Sequence, residues 1–505
     1  MCDIIVKKIN DVYMKIHVED RGIALELNEF FSFRPPNYKF NPSYKNGWWD
    51  GYIRLFNLKN HTVYIGLLED LKDFAKTMEY SIKISDDLNK ETNIDNDYLD
   101  ELTKKVELNE AYELRDYQRE YILTAIRKNR MVTLSPTSSG KSLIMYLIMQ
   151  YYNMNFNHKT LIIVSTTGLV RQLKGDFIEY GFNEDEIHAI YSGQEKSTNA
   201  QVVISTWQSI VNLDKEWYEE FDVVLGDECH KFQAKSLIHI MENLQDCPYR
   251  FGFTGTISSE SKVSELVLKG LFGELIRYIT TKDMIDSGTA ASLNIKGLVL
   301  KYSKEDIKEF NEILKKELKD TKTNKGSKKY KTEINYVINH HKRNKFIRNL
   351  AWSLKDQNNL ILFNYREHGD ILFDLLKENK ERKLHFIHGN VDGQKRDEIR
   401  HLIDNDEEKN HDLLASLGTT STGVNIKRLD NIILAAPTKA EITVLQSIGR
   451  VLRRGKDSEA AVVYDIADMI FSNKSNENYL SRHFKKRLEI YSTEEFKFKI
   501  YNLDL

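Results

Sequence analysis

Ten short apolar segments, arranged in two series of five, constrain the fold of this chain more than any other feature. The first series comprises residues 131–134, 161–164, 202–204, 223–225 and 251–253. The second series comprises residues 360–363, 384–387, 412–415, 432–435 and 461–464. Such segments between polar or turn residues are typical of strands buried on both faces of a parallel sheet. Helical patterns lie between them, so we expect two α/β domains in tandem.

The first hundred residues follow a different pattern. Short β-type runs at 11–18, 52–56 and 62–65 accompany a predicted helix near 69–80, which indicates a small α+β domain. The polar stretch at 85–100 that follows is typical of a linker.

The length of the chain supports this organisation. Its 505 residues are too many for one hydrophobic core and predict about three domains. We expect an N-terminal domain, a first α/β domain, a connecting segment, a second α/β domain and a tail at residues 1–105, 106–290, 291–345, 346–470 and 471–505. The tail mixes aromatic and basic residues, which favours an amphipathic packing element over a binding arm.

Composition limits how the chain can attract nucleic acid. The 73 Lys and Arg residues nearly balance the 75 Asp and Glu residues, so binding would require local basic patches. For the lysine-rich stretch 315–331 we favour a solvated helix end and loop, with a nucleic-acid contact as the alternative. The 3 scattered cysteines indicate a reducing cytoplasm. We find neither a signal-peptide run nor a stretch of ~20 apolar residues, so we expect no membrane partner.

A phosphate-binding loop is predicted directly after the first apolar segment. Residues 135–142 read SPTSSGKS, and the order of strand, loop and apolar helix is the one the motif requires. Loop amides would cradle a phosphate of ATP, Lys141 would reach the outer phosphates, and Ser142 would hold Mg²⁺. Ser135 replaces the first glycine of the strict pattern, and an ordinary Gly-Lys turn is the alternative. The predicted nucleotide contacts are Pro136, Thr137, Ser138, Ser139, Gly140, Lys141 and Ser142.

Two adjacent carboxylates, Asp227 and Glu228, follow the fourth apolar segment. Asp227 could hold Mg²⁺ partly through water, and Glu228 could orient and deprotonate the attacking water. An acidic pair at a strand end is also a common loop feature, but its position after a phosphate loop favours hydrolysis. The sequence therefore predicts ATP and Mg²⁺ as cofactors, with Lys141, Asp227 and Glu228 as catalytic residues.

A short segment before the loop is a candidate for binding the nucleotide base. Leu114, Arg115 and Gln118 open a predicted amphipathic helix. The Gln118 amide can pair with a donor and an acceptor on one adenine edge, and Arg115 can stack on the ring. Without the other motifs, an ordinary amphipathic helix would be the preferred interpretation.

Arginines at helical spacing complete the predicted ATP site. Arg450 and Arg453 lie one turn apart, so both can point towards a γ-phosphate that another domain holds. Gln446, one turn earlier, would sense the same phosphate or its water. A basic surface helix is the alternative, although the apolar residues between the arginines fit a packed interface. Gln446, Arg450 and Arg453 are therefore predicted to be catalytic.

Taken in order, these motifs resemble those of superfamily 2 helicases of the DExH type. The series is LRDYQ, SPTSSGKS, STTGLVRQ, ISTWQS, GDECH, FTGT, ILFNY, ASLGTTSTGVN and QSIGRVLRR. Residues 40–55 are also similar to the entry domain of the UvsW-type recombination helicases of T4-like phages. The resemblance implies two RecA-like domains and an ATP hydrolase coupled to DNA helicase activity.

The resemblance also implies functional residues beyond the ATP site. Contacts to the sugar-phosphate backbone are implied for Thr166, Thr167, Arg171, Thr206, Trp207, Gln208, Thr419 and Thr420. Coupling between ATP state and DNA is implied for His230, Thr254, Thr256 and Gly423. The fifth motif departs from the common pattern, so the choice among Ser416, Thr419 and Thr420 stays open.

An aromatic and basic cluster in the N-terminal domain permits two interpretations. Trp48 and Trp49 are adjacent there, with Lys45, Tyr52 and Arg54 nearby. On a strand, the two tryptophans would point to opposite faces, so one could stay exposed and bind bases. Packing of both in the core is slightly favoured. Trp49 is the candidate contact if the cluster binds DNA.

We therefore expect an ATP-dependent DNA helicase or translocase that acts on branched DNA in recombination and repair. Its work would be fork regression, branch migration, or unwinding of R-loops or duplexes, with RNA–DNA hybrids as a further substrate. We expect a monomer in the cytoplasm, or in the host cytoplasm if a phage encodes it. The alternatives are a DExH RNA helicase, a double-strand DNA translocase without strand separation, and a non-catalytic, ATP-gated binding module.

Overall fold

A computed structural model describes most of the chain. The described residues are 2–35, 38–88, 92–109, 111–191, 193–255, 257, 262–290, 292–319, 325–420, 426, 428–436, 460–471 and 477–505. At 262–264 and 420 the description covers the backbone alone. The chain divides into two units, Met1–Ile279 and Thr280–Leu505.

The N-terminal part of the first unit is a small α+β layer, as predicted. Its strands are β1 (Ile4–Lys8), β2 (Tyr13–His17), β3 (Ser32–Phe33), β4 (Ile53–Arg54), β5 (Thr62–Tyr64) and β6 (Ile82–Ile84). Its helices are α1 (Arg21–Phe30), α2 (Pro42–Lys45), α3 (Leu68–Thr77) and α4 (Asn96–Lys105). Four strands form a sheet in the order β5-β2-β1-β6, while β3 pairs with β4. Alternate residues of β1 and β2 are buried in one core with α1 and α3.

Two predictions for this layer need correction. The β-type run at 52–56 forms ladder pairs over Ile53–Arg54 alone. The polar stretch at 85–100 is not wholly a linker, because α4 begins at Asn96 and Asp95 caps it by accepting from the Tyr98 amide. Leu99 and Leu102 are the buried residues of α4. Two apolar contacts in a polar helix give too weak a period to read from the sequence.

The N-terminal layer packs directly on the neighbouring α/β part of its unit. The hydroxyls of Tyr13 and Tyr64 both donate to Glu242 Oε1, at 2.6 and 2.7 Å. Gly66 lies so close to the Lys269 backbone that a β-carbon would overlap the Lys269 carbonyl oxygen. These contacts fix the small layer against the first large sheet.

That sheet has seven parallel strands in the order β13-β7-β12-β11-β8-β10-β9. The strands are β7 (Arg130–Leu134), β8 (Thr160–Val164), β9 (Ile187–Ile190), β10 (Val202–Thr206), β11 (Val223–Asp227), β12 (Tyr249–Thr254) and β13 (Leu275–Ile276). The helices are α5 (Asp116–Lys128), α6 (Lys141–Phe156), α7 (Thr167–Glu179), α8 (Trp207–Ile210), α9 (Lys215–Tyr218), α10 (Lys235–Asn243) and α11 (Lys262–Phe272). All five predicted strands of the first series are confirmed.

The second unit contains another sheet of seven parallel strands, in the order β16-β17-β15-β18-β19-β14-β20. The strands are β14 (Leu293–Lys301), β15 (Asn359–Phe363), β16 (Lys383–Ile387), β17 (His411–Ser416), β18 (Asn431–Leu434), β19 (Ala461–Met469) and β20 (Phe498–Asp504). The helices are α12 (Thr281–Asp286), α13 (Lys304–Lys319), α14 (Lys325–Asn339), α15 (His341–Ser353), α16 (Arg366–Leu376), α17 (Gly393–Asn405), α18 (Leu417–Thr420) and α19 (Tyr479–Thr493). The predicted second series is confirmed as well.

The limits of this second sheet differ from the predicted boundaries. β14 lies in the predicted connecting segment 291–345 and β20 in the predicted tail, yet both belong to the sheet, because β14 pairs with β19 and with β20. The edge strand β20 is largely exposed and alternates apolar with polar residues, so it lacks a continuous apolar run. The described parts of the lysine-rich stretch, 315–319 and 325–331, are helical, because they belong to α13 and α14. Within the described ranges, no helix has the length and apolarity that a membrane crossing requires.

Candidate nucleotide and nucleic-acid site

The phosphate loop connects β7 to α6 and turns sharply before the helix. Ser138 and Gly140 have positive φ angles of 71° and 80°. A β-carbon on Gly140 would overlap the Gln118 side-chain amide, so both the backbone angle and the available space require glycine there. The loop therefore presents its amides at the start of a 16-residue helix, which favours a bound anion.

Side chains inside the loop hold its shape. Lys141 Nζ donates to the carbonyls of Ser135 and Pro136, at 3.0 and 2.9 Å. Ser135 is fully buried, and its hydroxyl bonds the Ser139 hydroxyl at 2.6 Å. Serine in place of the first glycine is thus compatible with the loop, because its side chain has an internal partner. A phosphate would compete with the two carbonyls for the Lys141 ammonium.

Gln118 connects α5 to the phosphate loop. It is 3% exposed, its Oε1 accepts from the Arg115 amide at 2.9 Å, and its Nε2 donates to the Ser139 carbonyl at 2.9 Å. The Tyr117 hydroxyl donates to the same carbonyl at 3.0 Å. Leu114 is buried, whereas Arg115 is exposed. Both ends of the Gln118 amide thus have protein partners, and its pairing with adenine stays a prediction.

The two predicted catalytic carboxylates lie at the end of β11. Glu228 has a positive φ of 50°, and its amide donates to Asp227 Oδ1 at 2.9 Å. Burial and the Glu228 charge raise the pKa of Asp227, against the opposing effect of Lys141. Burial alone would raise the pKa of Glu228, but the hydrogen bond and charge of His230, together with Lys141, lower it. The surroundings of the two carboxylates therefore raise the pKa of Asp227 and lower the pKa of Glu228, which favours the ionised form of Glu228.

The donor set fits Mg²⁺, which prefers oxygen ligands and takes few of them from the protein. Ser142 and Asp227 supply a hydroxyl and a carboxylate. The Ser142 hydroxyl lies 3.0 Å from the Tyr180 hydroxyl, a partner that it would exchange for the metal ion. Among the described residues, no group of three or more His, Cys, Asp or Glu side chains could hold a metal ion. Few protein ligands are expected at a site where bound phosphates supply the other ligands of the ion.

The functional segments of this unit follow one edge of the first sheet. The neighbouring strands β7, β12, β11, β8 and β10 end respectively at the phosphate loop, Thr254, the carboxylate pair, Thr166 and Thr206. Strands that are neighbours in space are not consecutive in the chain. Because carboxyl ends of parallel strands meet at one edge, nucleotide residues and predicted DNA contacts form a continuous row.

His230 and Lys231 connect the middle of this row. His230 Nδ1 lies 3.0 Å from Thr254 Oγ1 and 3.3 Å from Glu228 Oε2. Lys231 Nζ donates to Ser165 Oγ at 3.1 Å, which connects the end of β11 to the end of β8. The contact made by Lys231 was missed by sequence reasoning, although its position directly after the acidic motif was an available signal.

The predicted DNA contacts of the first unit differ in accessibility. Thr167, Arg171 and Gln208 are exposed and can meet a ligand directly. Thr206 is buried, with its hydroxyl 2.8 Å from Ser209 Oγ, and Trp207 packs partly against the core. The Thr166 hydroxyl caps α7 by accepting from the Leu169 amide. Thr206 and Trp207 therefore shape the edge more than they extend from it.

In the second unit, the carboxyl ends of β15, β16 and β17 surround a cleft of about 480 Å³. Its lining residues are Phe363, Asn364, Arg366, His388, Gly389, Asn390 and Ser416. Thr419 is buried beside it, with its hydroxyl 2.9 Å from the Ser416 hydroxyl. Asn364 and Arg366 were missed as candidates, although both directly follow a predicted strand.

The chain is similar to known proteins along nearly its whole length. Residues 3–85 match the N-terminal family of the DNA helicase UvsW, residues 111–259 match the res subunit of type III restriction enzymes, and residues 341–455 match the helicase conserved C-terminal domain. The chain is 34% identical to the ATP-dependent DNA helicase uvsW of Enterobacteria phage T4, over 95% of each chain. It belongs to the UvsW family of superfamily 2 helicases.

Solved structures support the same assignment. The crystal structure of T4 UvsW covers 99% of both chains at 31% identity, with a TM-score of 0.51. The Dbp5 structure from S. cerevisiae bound to RNA covers 79% of this chain and 95% of its own, with a TM-score of 0.54. At 14% identity, the Dbp5 match shows the fold alone. As a UvsW-family member, the chain is an ATP-dependent helicase, as its motifs predicted.

Several predicted positions fall outside the described residues. They are Thr256, Gly423, Gln446, Arg450, Arg453 and the side chain of Thr420. Their roles in this UvsW-family chain stay predictions from the sequence.

One prediction for the aromatic cluster of the N-terminal layer needs correction. The two tryptophans lie in the turn after α2 rather than on a strand, and Trp48 is 81% exposed, so core packing of both is wrong. Trp49 is partly buried, and its Nε1 donates to the Tyr52 carbonyl at 2.7 Å. Phe40 is 73% exposed, and Lys45 Nζ lies 5.8 Å from its ring centre. Trp48, rather than Trp49, is the tryptophan that is open to a ligand.

Proposed function

We propose that this UvsW-family protein is an ATP-dependent DNA helicase that remodels branched DNA. The observation that carries the proposal is the continuous row at the edge of the first sheet. Residues suited to ATP hydrolysis and residues suited to phosphate-backbone contact lie there on adjacent strands. The similarity to the T4 DNA helicase along nearly the whole chain supports DNA as the polymer.

The hydrolysis step would use the described side chains in distinct roles. Lys141 would leave its two carbonyl partners and bind the outer phosphates of ATP, while the loop amides hold the β-phosphate. Mg²⁺, held by Asp227 and Ser142, would neutralise charge on the phosphates. Glu228, favoured in its ionised form, would orient the attacking water and accept its proton.

Coupling would pass along the same sheet edge. His230 contacts both Glu228 and Thr254, so a change at the hydrolytic carboxylate can shift the end of β12. Lys231 connects the same segment to Ser165, immediately before the predicted DNA contact Thr166. A short chain of bonds therefore joins the ends of β12, β11 and β8, in the middle of the row. The roles of Gln446, Arg450 and Arg453 as partners of the γ-phosphate belong to this proposal as predictions from sequence.

The N-terminal layer would supply the preference for branched substrates. Trp48 and Phe40 present exposed ring faces, and Lys45 adds a cation close to one of them. Aromatic faces stack on unpaired bases with little sequence preference, while cations contact phosphates. Unpaired bases beside a duplex are the feature that distinguishes a fork or junction from an intact duplex.

The decisive test measures ATPase rate and strand separation side by side. The substrates are a fork, a four-way junction, an R-loop, linear duplex DNA, single-stranded DNA and duplex RNA. We expect the branched DNAs to give the largest strand-separation rates. Stimulation by RNA alone would contradict the proposal, and so would ATP hydrolysis on duplex DNA without separation of any substrate.

Replacing the exposed tryptophan tests the assigned substrate surface. Trp48→Ala should weaken fork binding about 5- to 100-fold, since stacking on one base is worth about 1–3 kcal/mol. Phe156, an exposed aromatic residue on α6 of the same unit, provides the matched control Phe156→Ala. Equal fork affinity for the two variants in fluorescence anisotropy would remove Trp48 from the proposed site.

A further inference from the structure

The most basic segment of the chain is not used by the function proposed above. Residues 315–331 contain eight lysines against Glu317 and Asp320, in a chain whose net charge is -2. This charge is concentrated where α13 ends and α14 begins. Excess positive charge on an otherwise balanced chain indicates a local anion partner rather than general solubility.

Contacts between α13 and α14 show that the two helices form an antiparallel hairpin. Near the tip, Lys328 forms an ion pair with Glu317. Towards the base, the Tyr336 hydroxyl donates to Glu309 at 3.0 Å and to the Asp306 carbonyl at 2.9 Å. The lysines at 315, 316, 319, 325, 328 and 329 therefore lie at one end of the hairpin, and Lys331 follows two residues further along α14.

The base of the hairpin is anchored in the core of the second unit. Phe310 of α13 and Ile334, Val337 and Ile338 of α14 are buried in the same core as β14 and β19. The buried Glu333 carboxylate accepts from Asn478 Nδ2 at 2.6 Å and from the Leu480 amide at 2.7 Å. This anchoring presents the lysines from a fixed framework, so little ordering is needed on binding.

The lysines at the tip are available to an external partner. Lys315, Lys316, Lys319, Lys325 and Lys331 are exposed, and no salt bridge found in the described part of the chain involves any of them. The first turn of α14 contains lysine but no acidic residue. Cations there oppose the helix dipole, a cost that a bound anion would offset.

A distant segment adds one more cation to the same surface. Gly326 lies beside the hydroxyl of Tyr479 on α19, since an added β-carbon would be 3.3 Å from it. The exposed Arg482 guanidinium lies 4.3 Å from the Tyr479 ring centre. We call Lys315, Lys316, Lys319, Lys325, Lys331 and Arg482 the basic tip. The sequence alone does not show that Arg482 lies near the lysines of the hairpin.

We propose that the basic tip binds the phosphate backbone of a duplex DNA arm. The proposal rests on the DNA helicase function proposed above. Aromatic rings beside the tip contact each other, with Tyr330 and Tyr479 ring centres 5.6 Å apart, so they offer no free platform for unpaired bases. The tip thus presents an excess of cations on two helices, with the one described carboxylate, Glu317, paired to Lys328. It faces a polymer with one charge per ~1.7 Å of its axis.

The chemistry of the tip predicts a binding mode without base recognition. Lysine is a flexible point charge and contacts phosphates without reading sequence. Binding should therefore be independent of sequence and should fall steeply as salt rises. A duplex contact on the second unit would complement the exposed aromatic residues of the N-terminal layer, which suit unpaired bases.

The test neutralises the same number of lysines at the tip of the hairpin and around its base, where Lys301 ends β14 and Lys304 and Lys308 lie in the first turns of α13. The tip variant carries Lys315→Gln, Lys316→Gln and Lys319→Gln. The base variant carries Lys301→Gln, Lys304→Gln and Lys308→Gln, which are also exposed. Affinities of the full-length variants for a blunt duplex and for single-stranded DNA are measured by anisotropy at several salt concentrations, with melting temperatures recorded for both.

We expect the tip variant to lose about tenfold or more in duplex affinity. Its slope of log affinity against log salt should become less steep by about 2–3, near 0.9 per lost phosphate contact. The base variant should retain wild-type duplex affinity and slope. Single-stranded DNA should bind both variants with similar affinity.

The possible failures are distinguishable. Equal duplex affinity for the tip and base variants, with a wild-type protein that binds DNA, would overturn the basic-tip proposal alone. An equal or larger loss for single-stranded DNA would overturn the assignment to duplex. If the tip variant melts early, Arg482→Gln provides a second test on α19, where unchanged duplex affinity and salt slope would again overturn the proposal. A wild-type protein with no DNA affinity would instead refute the proposed function.

Discussion

The two large sheets have the same strand order, but the charged side chains beside them differ: like charges adjoin in the first unit and opposite charges pair in the second. In the first sheet, Asp227 and Glu228 lie side by side at the carboxyl edge. Burial and the Glu228 charge raise the pKa of Asp227, whereas His230 and Lys141 lower the pKa of Glu228. In the second unit, Arg343 of α15 and Asp468 of β19 form a buried ion pair whose side chains are 0% and 1% exposed. The same strand topology thus supports a reactive edge in one unit and a fixed, charge-paired core in the other.

The contrast shows where each unit uses its polar groups. Two like charges held close together destabilise a fold, so the pair of Asp227 and Glu228 indicates a functional role for this edge. Removing one partner of a buried ion pair leaves an uncompensated buried charge, so such a pair does not easily exchange partners. Arg343 also donates to the Ala435 carbonyl, and the Tyr302 hydroxyl donates to Asp468. We infer that the second unit uses its buried charges for structure.

Breaking the pair in the second sheet should have the largest effect. Arg343→Met should lower the free energy of unfolding of the second unit by about 3–5 kcal/mol, because Asp468 would stay buried without its cation. Thermal or urea unfolding measures this change. Arg348→Met, on the same helix α15, is the matched control because the partner of Arg348, Glu378, is 54% exposed, so a loss of only about 0–1 kcal/mol is expected. Similar losses for both variants would remove the proposed contrast.

Removing the loop ammonium should affect catalysis and leave the fold intact. Lys141→Ala should reduce ATP turnover at least about 10²- to 10³-fold, since a charged donor aimed at the reacting phosphates is lost. Lys128→Ala is the control, because its partner Glu274 lies away from the loop and both side chains are partly exposed. Near-normal turnover in Lys141→Ala, measured by phosphate release, would reject the assigned phosphate site.

A smaller effect would test whether Gln118 positions the loop. Gln118→Ala should leave the Ser139 carbonyl with one donor fewer and weaken ATP binding by about 1–3 kcal/mol. The control Gln150→Ala removes a buried glutamine whose bond goes to the Tyr146 hydroxyl, within helix α6. We expect a raised KM for ATP in the Gln118 variant alone. An equal rise in both would mean that Gln118 acts through general packing.

Sequence reasoning succeeded where a pattern is local. The ten apolar runs became strands because both faces of those strands are buried, which leaves a continuous apolar signature. The phosphate loop was likewise readable, since strand, loop and helix are contiguous in the chain. β20 was missed because this edge strand is largely exposed and lacks a continuous apolar run. β14 was missed because Asn294, Lys296 and Gly297 interrupt its apolar residues.

Side-chain exposure was harder to predict than strands. Trp48 and Trp49 are adjacent and chemically identical, yet one is exposed and the other donates to the Tyr52 carbonyl. The turn after α2 decides this, because the two tryptophans do not lie on a strand and the expected alternation of faces does not apply. Gln118 shows the same limit, because its partner Ser139 is distant in the chain and only the folded loop brings them together.

By itself, the sequence determined the two parallel sheets, the phosphate loop, the carboxylate pair and the helicase family, because each depends on short-range order or on motif spacing. Only the tertiary structure decided the order of strands at the reactive edge, the bonds made by His230 and Lys231, and the union of Arg482 with the hairpin lysines. In these parallel sheets, strands that are neighbours in space are often not consecutive in the chain. Contacts along the edge of a sheet therefore depend on the complete fold rather than on any single segment.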